Sequence, residues 1–226
     1  MTGILSGGER RYVKAIGLLS VLCLFLFIFQ EVAVGSIRYW FIPENLGLSW
    51  LSLLFAWVLA RQLKVRRWAS WQNIALTILW LGFLPNAWYV LTDFLHIYPS
   101  GDTTQLYDIV LLSTLVVSGF IVGFTSLYLV HQELHKRLGA RWGLLIIDGV
   151  ILLSSFAIYL GRFLRWNTWD VVTNPSGVIL NVSDRIIDPL GYPRALTLTA
   201  LFFLFIGVIY RAIWFFMKPY TNGKSR

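Results

Sequence analysis

Charged residues are scarce in this sequence. Asp, Glu, Lys and Arg make up 13% of the chain and hydrophobic residues 57%, whereas an average soluble domain has about 25% charged residues. So few charges leave too little polar surface to keep a folded globule dispersed in water. The shortage of charge excludes an ordinary soluble domain and predicts a membrane protein.

Cysteine is nearly absent, and the common hydrolase motifs are missing. The only cysteine is Cys23, so the chain cannot form an intramolecular disulfide or a CxxC metal or redox site. It contains no P-loop, GxSxG or HExxH pattern. Nucleotide hydrolysis, serine hydrolysis and zincin chemistry therefore have no support from the sequence.

Six long apolar runs are present instead. A helix that crosses about 30 Å of hydrocarbon needs about 20 mostly apolar residues, and a backbone in lipid must satisfy its own polar groups. The sequence therefore predicts an all-α, polytopic membrane helix bundle of about six transmembrane helices that forms a single domain over residues 1–226. The predicted helices lie near residues 14–34, 46–62, 71–91, 107–130, 142–161 and 194–216.

The basic excess has a topological explanation. The formal net charge is +8, but Lys and Arg stand in short clusters between apolar runs, so we expect no nucleic-acid partner. Most of the 19 Lys and Arg residues fall near the two termini and in alternate connections. The positive-inside rule then predicts that both termini are cytoplasmic and that the long segment 162–193 faces outward.

Asp148 and Arg211 are charged residues that lie more than one turn inside the ends of their predicted helices. Asp148 lies about 9 Å along its helix from the inner end, and Arg211 has a similar depth in the last helix. An unpaired charge at that depth would be strongly destabilising. We therefore predict an intramembrane ion pair between Asp148 and Arg211.

A polar cluster is predicted at the outward ends of the helices. If the third helix continues past Pro85, four polar residues follow at spacings of three, four and three and share one face. These four residues are Asn86, Tyr89, Asp93 and His96. Asp93 and His96 are candidate catalytic residues as an acid/base pair, or candidate ligands of a divalent metal with Asp108 or Asp170 as the third. A hydrogen-bond network at the helix end is the alternative.

The segment after the fifth predicted helix combines arginines with tryptophans. Guanidinium groups beside indole rings suit a phosphate or carboxylate headgroup. Simple anchoring at the membrane surface, with local salt bridges, is the alternative. The candidate binding residues of this segment are Arg162, Arg165, Trp166, Asn167, Trp169 and Asp170; those nearer the third helix are Asn86, Tyr89 and Asp108.

Two stretches carry a family resemblance. Residues 84–96, which begin Leu84-Pro85-Asn86, and residues 161–170, which run from Gly161 to Asp170, resemble bacterial membrane proteins grouped as domain of unknown function 1361. The resemblance implies a multi-pass protein of the bacterial plasma (inner) membrane. It implies no chemistry.

These observations leave three functions open. The first is an outward-facing polar site that binds or processes an anionic or lipid-linked small molecule, with a divalent metal as its candidate cofactor. The second is a small transporter or channel subunit. The third is a structural subunit of a membrane complex with no site of its own. The expected partners are the lipid bilayer, an anionic headgroup or small molecule, and a second copy of the chain.

Overall fold

The computed structural model describes residues 7–35, 38–97, 101–166 and 169–217, and every regular element among them is helical. This agrees with the predicted all-α membrane bundle. The elements are α1 (Gly7–Val34), α2 (Phe41–Gln62), α3 (Trp71–Phe83), α4 (Asn86–Tyr89), a 3-10 helix (Val90–His96), α5 (Asp102–Leu164), α6 (Asp170–Thr173), α7 (Pro175–Ile187) and α8 (Pro193–Met217).

Five helical stretches are long and apolar enough to cross a membrane. They are Tyr12–Ala33, Phe41–Gln62, Trp71–His96, Thr103–Leu164 and Pro193–Phe216. The fourth has 62 residues, which would measure about 93 Å if it were straight. That is about three times the thickness of the hydrocarbon layer.

The long helix α5 is interrupted at Gly139. This residue has φ 80° and ψ 175°, a region that glycine alone adopts readily. A Cβ atom on Gly143 would lie 3.4 Å from the backbone of His135, although eight residues of straight helix span about 12 Å. The chain therefore reverses at Gly139, and α5 comprises the two separate helices predicted near 107–130 and 142–161.

The chain divides into two compact units, Met1–Val130 and His131–Arg226. In the first unit, α2 packs against α3 and α4. Its core includes residues of α1, α2 and the first part of α5, such as Cys23, Ile42 and Leu111. The single domain proposed for the whole sequence stays a prediction.

The third predicted helix changes type after Pro85. Helix α3 ends at Phe83, α4 forms one turn, and a 3-10 helix then runs to His96. In a 3-10 helix, residues three apart lie directly above each other. Asp93 and His96 therefore stay on one face, although the α-helix assumed from the sequence does not continue.

Helix α4 packs closely against two glycines of α5. A Cβ atom on Gly119 would lie 2.6 Å from the backbone oxygen of Ala87, and one on Gly123 would lie 2.9 Å from the indole nitrogen of Trp88. The Gly-x-x-x-Gly spacing lets two helices approach closely, as is common in membranes. This close packing sets the position of the segment that carries Asp93 and His96.

Candidate functional site

Asp93 is a buried carboxylate in the 3-10 helix of the first unit. It is 1% exposed, and the side-chain amide of Asn45 in α2 donates a 2.8 Å hydrogen bond to its Oδ2. A buried charge needs such partners because it has lost its hydration. Asn45 was not identified from the sequence, since nothing local links it to a residue 48 positions later.

His96 stands beside Asp93 at the edge of the unit. Its Nδ1 lies 3.2 Å from the backbone oxygen of Asp93 and 3.9 Å from Oδ1 of the carboxylate. The ring contacts Phe41 at 4.7 Å between centroids, and 36% of the side chain is exposed. Because a carbonyl oxygen only accepts, this contact requires a hydrogen on Nδ1, and in the neutral form of the ring Nε2 then carries the lone pair.

Asp108 belongs to a different network. It is fully buried, Gln30 of α1 donates a 3.0 Å hydrogen bond to Oδ1, and Nη1 of Arg38 lies 3.3 Å from Oδ2. Among the described residues, no three His, Cys, Asp or Glu side chains are grouped closely enough to hold a metal ion. A metal held by Asp93, His96 and Asp108 stays a prediction.

The connection between α1 and α2 is tied to Asp108 through Tyr39 and Arg38. Glu31 accepts backbone hydrogen bonds from Arg38 at 2.7 Å and Tyr39 at 3.0 Å. Burial, and then the neighbouring Asp108, hold the pKa of Tyr39 above its usual value. No local sequence pattern indicates this network, because its partners come from the ends of three helices.

Asn86 and Tyr89, the other two predicted site residues of the first unit, form hydrogen bonds within their own helical segment. The side-chain amide of Asn86 donates a 3.1 Å hydrogen bond to the backbone oxygen of Phe83, the last residue of α3. Tyr89 is half-buried, and its backbone oxygen accepts a hydrogen bond from the hydroxyl of Thr92. Asn86 thus helps to span the break at Pro85.

Arg162 and Arg165 mark the end of α5 in the second unit. Arg162 is half-buried in the last helical turn, and Arg165 is exposed just after it. Arg165 has φ 57°, a left-handed conformation that costs a residue with a Cβ atom about 1–2 kcal/mol. Within the part of the chain that the structure describes, neither guanidinium group has a hydrogen bond or an ion pair.

The aromatic and acidic residues that follow Arg165 each have different surroundings. Trp166 packs on Gly177 of α7, where an added Cβ atom would lie 2.8 Å from the indole ring. Trp169 is exposed. The carboxylate of Asp170 lies 3.3 Å from the hydroxyl of Thr173, which donates to it. Asn167 lies outside the described residues.

Asp148 and Arg211 form an ion pair in the second unit. Nη2 of Arg211 lies 2.8 Å from Oδ1 and 2.7 Å from Oδ2 of Asp148. This is the pairing expected from their matching depths in the two helices. It connects the second part of α5 with α8.

Segment 162–193 is more ordered than the outward loop that we expected. It contains α6 and α7, and the side-chain oxygen of Asn174 accepts a 3.1 Å hydrogen bond from the backbone N–H of Gly177. This contact caps α7, and Pro175 follows at the first helical position, where proline is favoured. An Asn-Pro pair is a local sequence signal for the start of a helix, and the loop predicted for this segment left it out.

The helices and these polar networks define a multi-pass membrane protein. The chain matches the family described as "Protein of unknown function (DUF1361)" over residues 44–210, and it belongs to that family. No curated protein matches the chain, and no solved structure matches it.

Proposed function

We propose that this protein binds an anionic, phosphate-bearing headgroup, of a lipid or of a lipid-linked molecule, through Arg162 and Arg165. One observation carries the proposal. Neither guanidinium group has a partner within the described chain, although acidic residues such as Asp170 lie close in sequence. Two such arginines, three residues apart where a spanning helix ends, form a site for an anion at the headgroup layer.

The chemistry of the guanidinium group favours phosphate. Its planar donors match two phosphate oxygens at once, and it binds more strongly than a lysine would at such a site. The end of a membrane-spanning helix lies where lipid phosphates are concentrated. We infer that this end faces outward, because the basic clusters lie at the opposite ends of the helices.

Lipid titration of the protein in nanodiscs tests the proposal. Native mass spectrometry would count short-chain phosphatidic acid and phosphatidylcholine molecules bound to the parent chain and to Arg162→Gln/Arg165→Gln. We expect the double variant to lose phosphatidic acid affinity by about ten-fold or more, because charge-assisted hydrogen bonds contribute about 1.5–3 kcal/mol each.

Arg194→Gln is the matched control, because it removes one exposed arginine from the other end of the same connecting segment. It should keep most of the affinity. Equal binding of phosphatidic acid by the parent and the double variant would contradict the proposal. So would equal binding of the two lipids by the parent.

We propose a second candidate function, acid–base or metal chemistry at Asp93 and His96. The observation that favours it is the pairing of a buried carboxylate, oriented by Asn45, with a partly exposed imidazole. The hydrogen bond from Nδ1 leaves Nε2 as the atom that accepts a proton or binds a metal ion. In this role the backbone oxygen of Asp93 orients the ring, the Asp93 carboxylate is the counter-charge of the protonated ring, and His96 exchanges the proton.

Modification by diethyl pyrocarbonate tests this second candidate. His131 is buried, so we expect His96 to react faster, and peptide mapping would locate the adduct. If a divalent metal binds here, zinc protects His96 in the parent and does not protect it in Asp93→Asn. A His96 that is as unreactive as His131 would contradict both the acid–base role and the metal role.

A further inference from the structure

Helix α7 carries an apolar face that no other part of the described chain covers. Ile179, Leu180, Ile186 and Ile187 are 62–80% exposed, and none of the residues of this helix is buried. Ile179 and Ile186 are seven residues apart, as are Leu180 and Ile187. Seven residues return a helix almost to the same side, so the four side chains share a face about 120° wide.

The opposite side of α7 contacts other residues of the second unit. Arg185 donates a 3.3 Å hydrogen bond from Nε to the hydroxyl of Tyr159, and its guanidinium lies 4.5 Å from the centre of the Tyr192 ring. Near the start of the helix, Gly177 contacts Trp166. These contacts fix the rotation of α7 and direct its apolar face away from the unit.

We propose that α7 is an interfacial helix that lies along the membrane surface with Ile179, Leu180, Ile186 and Ile187 in lipid. The chain before it leaves the spanning helix that ends at Leu164, and the chain after it enters the one that begins at Pro193. A 13-residue helix between two such ends is held at the membrane boundary. Amphipathic helices there bury their apolar faces about 5–10 Å below the headgroups.

Lipid fits this face better than a second copy of the chain does. Large apolar side chains are also exposed near the ends of the two spanning helices that α7 connects, at Phe163 and Leu196, and lipid contacts such helices as well. A stable protein interface uses about 20–30 residues on each side, and α7 offers four large apolar side chains. This inference does not depend on headgroup binding by Arg162 and Arg165.

Single-cysteine labelling of the full chain in phospholipid vesicles tests the inference. Ile179→Cys and Ile186→Cys place an environment-sensitive fluorophore on the apolar face. Asp184→Cys is the matched control, because Asp184 is exposed on the polar flank of the same helix. The parent chain serves as the labelling blank, since its only cysteine, Cys23, is buried.

We expect labels at 179 and 186 to emit at shorter wavelength, to be quenched by nitroxide lipids and to resist aqueous iodide. The label at 184 should show the opposite behaviour. Iodide quenching at all three positions would overturn the inference, because α7 would then project into water. Labels at 179 and 186 that resist both quenchers would also overturn it, because protein would then cover the face.

Discussion

Asp108 lies at the centre of a buried polar network in the first unit. Its buried carboxylate meets Gln30 and Arg38, so it joins α1, the connection to α2, and α5. Removal of one partner from a buried network leaves donors without acceptors. The strength of the network therefore rests on this one side chain.

We predict that Asp108→Ala lowers the free energy of unfolding by roughly 2–3 kcal/mol. A thiol-reactive dye would report the unfolding of both proteins, because Cys23 is buried in the same unit and becomes reactive only on unfolding. Glu44→Ala is the control, since it removes an exposed carboxylate from the same unit. Equal unfolding temperatures for the two variants would show that the network contributes nothing.

We predict that the protein loses stability at alkaline pH because of Tyr39. Its pKa is raised in the folded protein, first by burial and then by Asp108, so the folded state holds this proton more tightly than the unfolded state. The stabilising contribution is complete below the usual pKa of about 10 and falls as the pH rises above it, by up to about 1.4 kcal/mol per pH unit. The slope of unfolding free energy against pH, from tryptophan fluorescence, should be shallower in Tyr39→Phe. An unchanged slope would contradict this.

At the scale of helices, Gly139 separates the two spans of α5. Its φ of 80° and ψ of 175° are strained for any residue that has a Cβ atom. We predict that Gly139→Ala destabilises the second unit by about 1–3 kcal/mol, measured by thermal unfolding with tryptophan fluorescence.

Gly149→Ala is the control on the same helix. A Cβ atom there meets nothing within 4 Å, and alanine is the better helix former by about 0.5–1 kcal/mol. It should therefore leave stability unchanged or raise it. Destabilisation by both substitutions to the same extent would contradict the assigned role of Gly139.

The helices themselves were largely predictable, because hydrocarbon thickness fixes how long an apolar run must be. The predicted spans near 46–62 and 194–216 lie within α2 and α8. The change to a 3-10 helix after Pro85 was not predicted. The close packing of α4 against Gly119 and Gly123 involves residues that are distant in sequence. Helix α7 was missed because its 13 residues are too few to span a bilayer.

The site residues were predictable from the sequence only where two of them lie on one helix or form one ion pair. The spacing of Asp93 and His96 and the matching depths of Asp148 and Arg211 were visible in the sequence. The partners Asn45, Gln30 and Arg38 were not visible, because hydrogen bonds between distant segments leave no local pattern.

At the scale of the whole molecule, the charge distribution predicts the orientation in the membrane. A fluorescent reporter that matures only in the cytoplasm should fluoresce when fused after Gly139 or after Met217 and stay dark when fused after Asp188. An alkaline phosphatase fusion, which is active only outside, should show the reverse. Fluorescence after Asp188 would place Arg162 and Arg165 on the cytoplasmic side and would contradict an outward-facing headgroup site.

The proposed function requires that Arg162 and Arg165 hold an anionic headgroup. The measurement that checks this is an experimental structure of the protein in nanodiscs that contain phosphatidic acid. We predict a phosphate within hydrogen-bond distance of both guanidinium groups, at the level where α7 meets the lipid. Two arginines paired with carboxylates of this chain or of a second copy, with no headgroup between them, would contradict it.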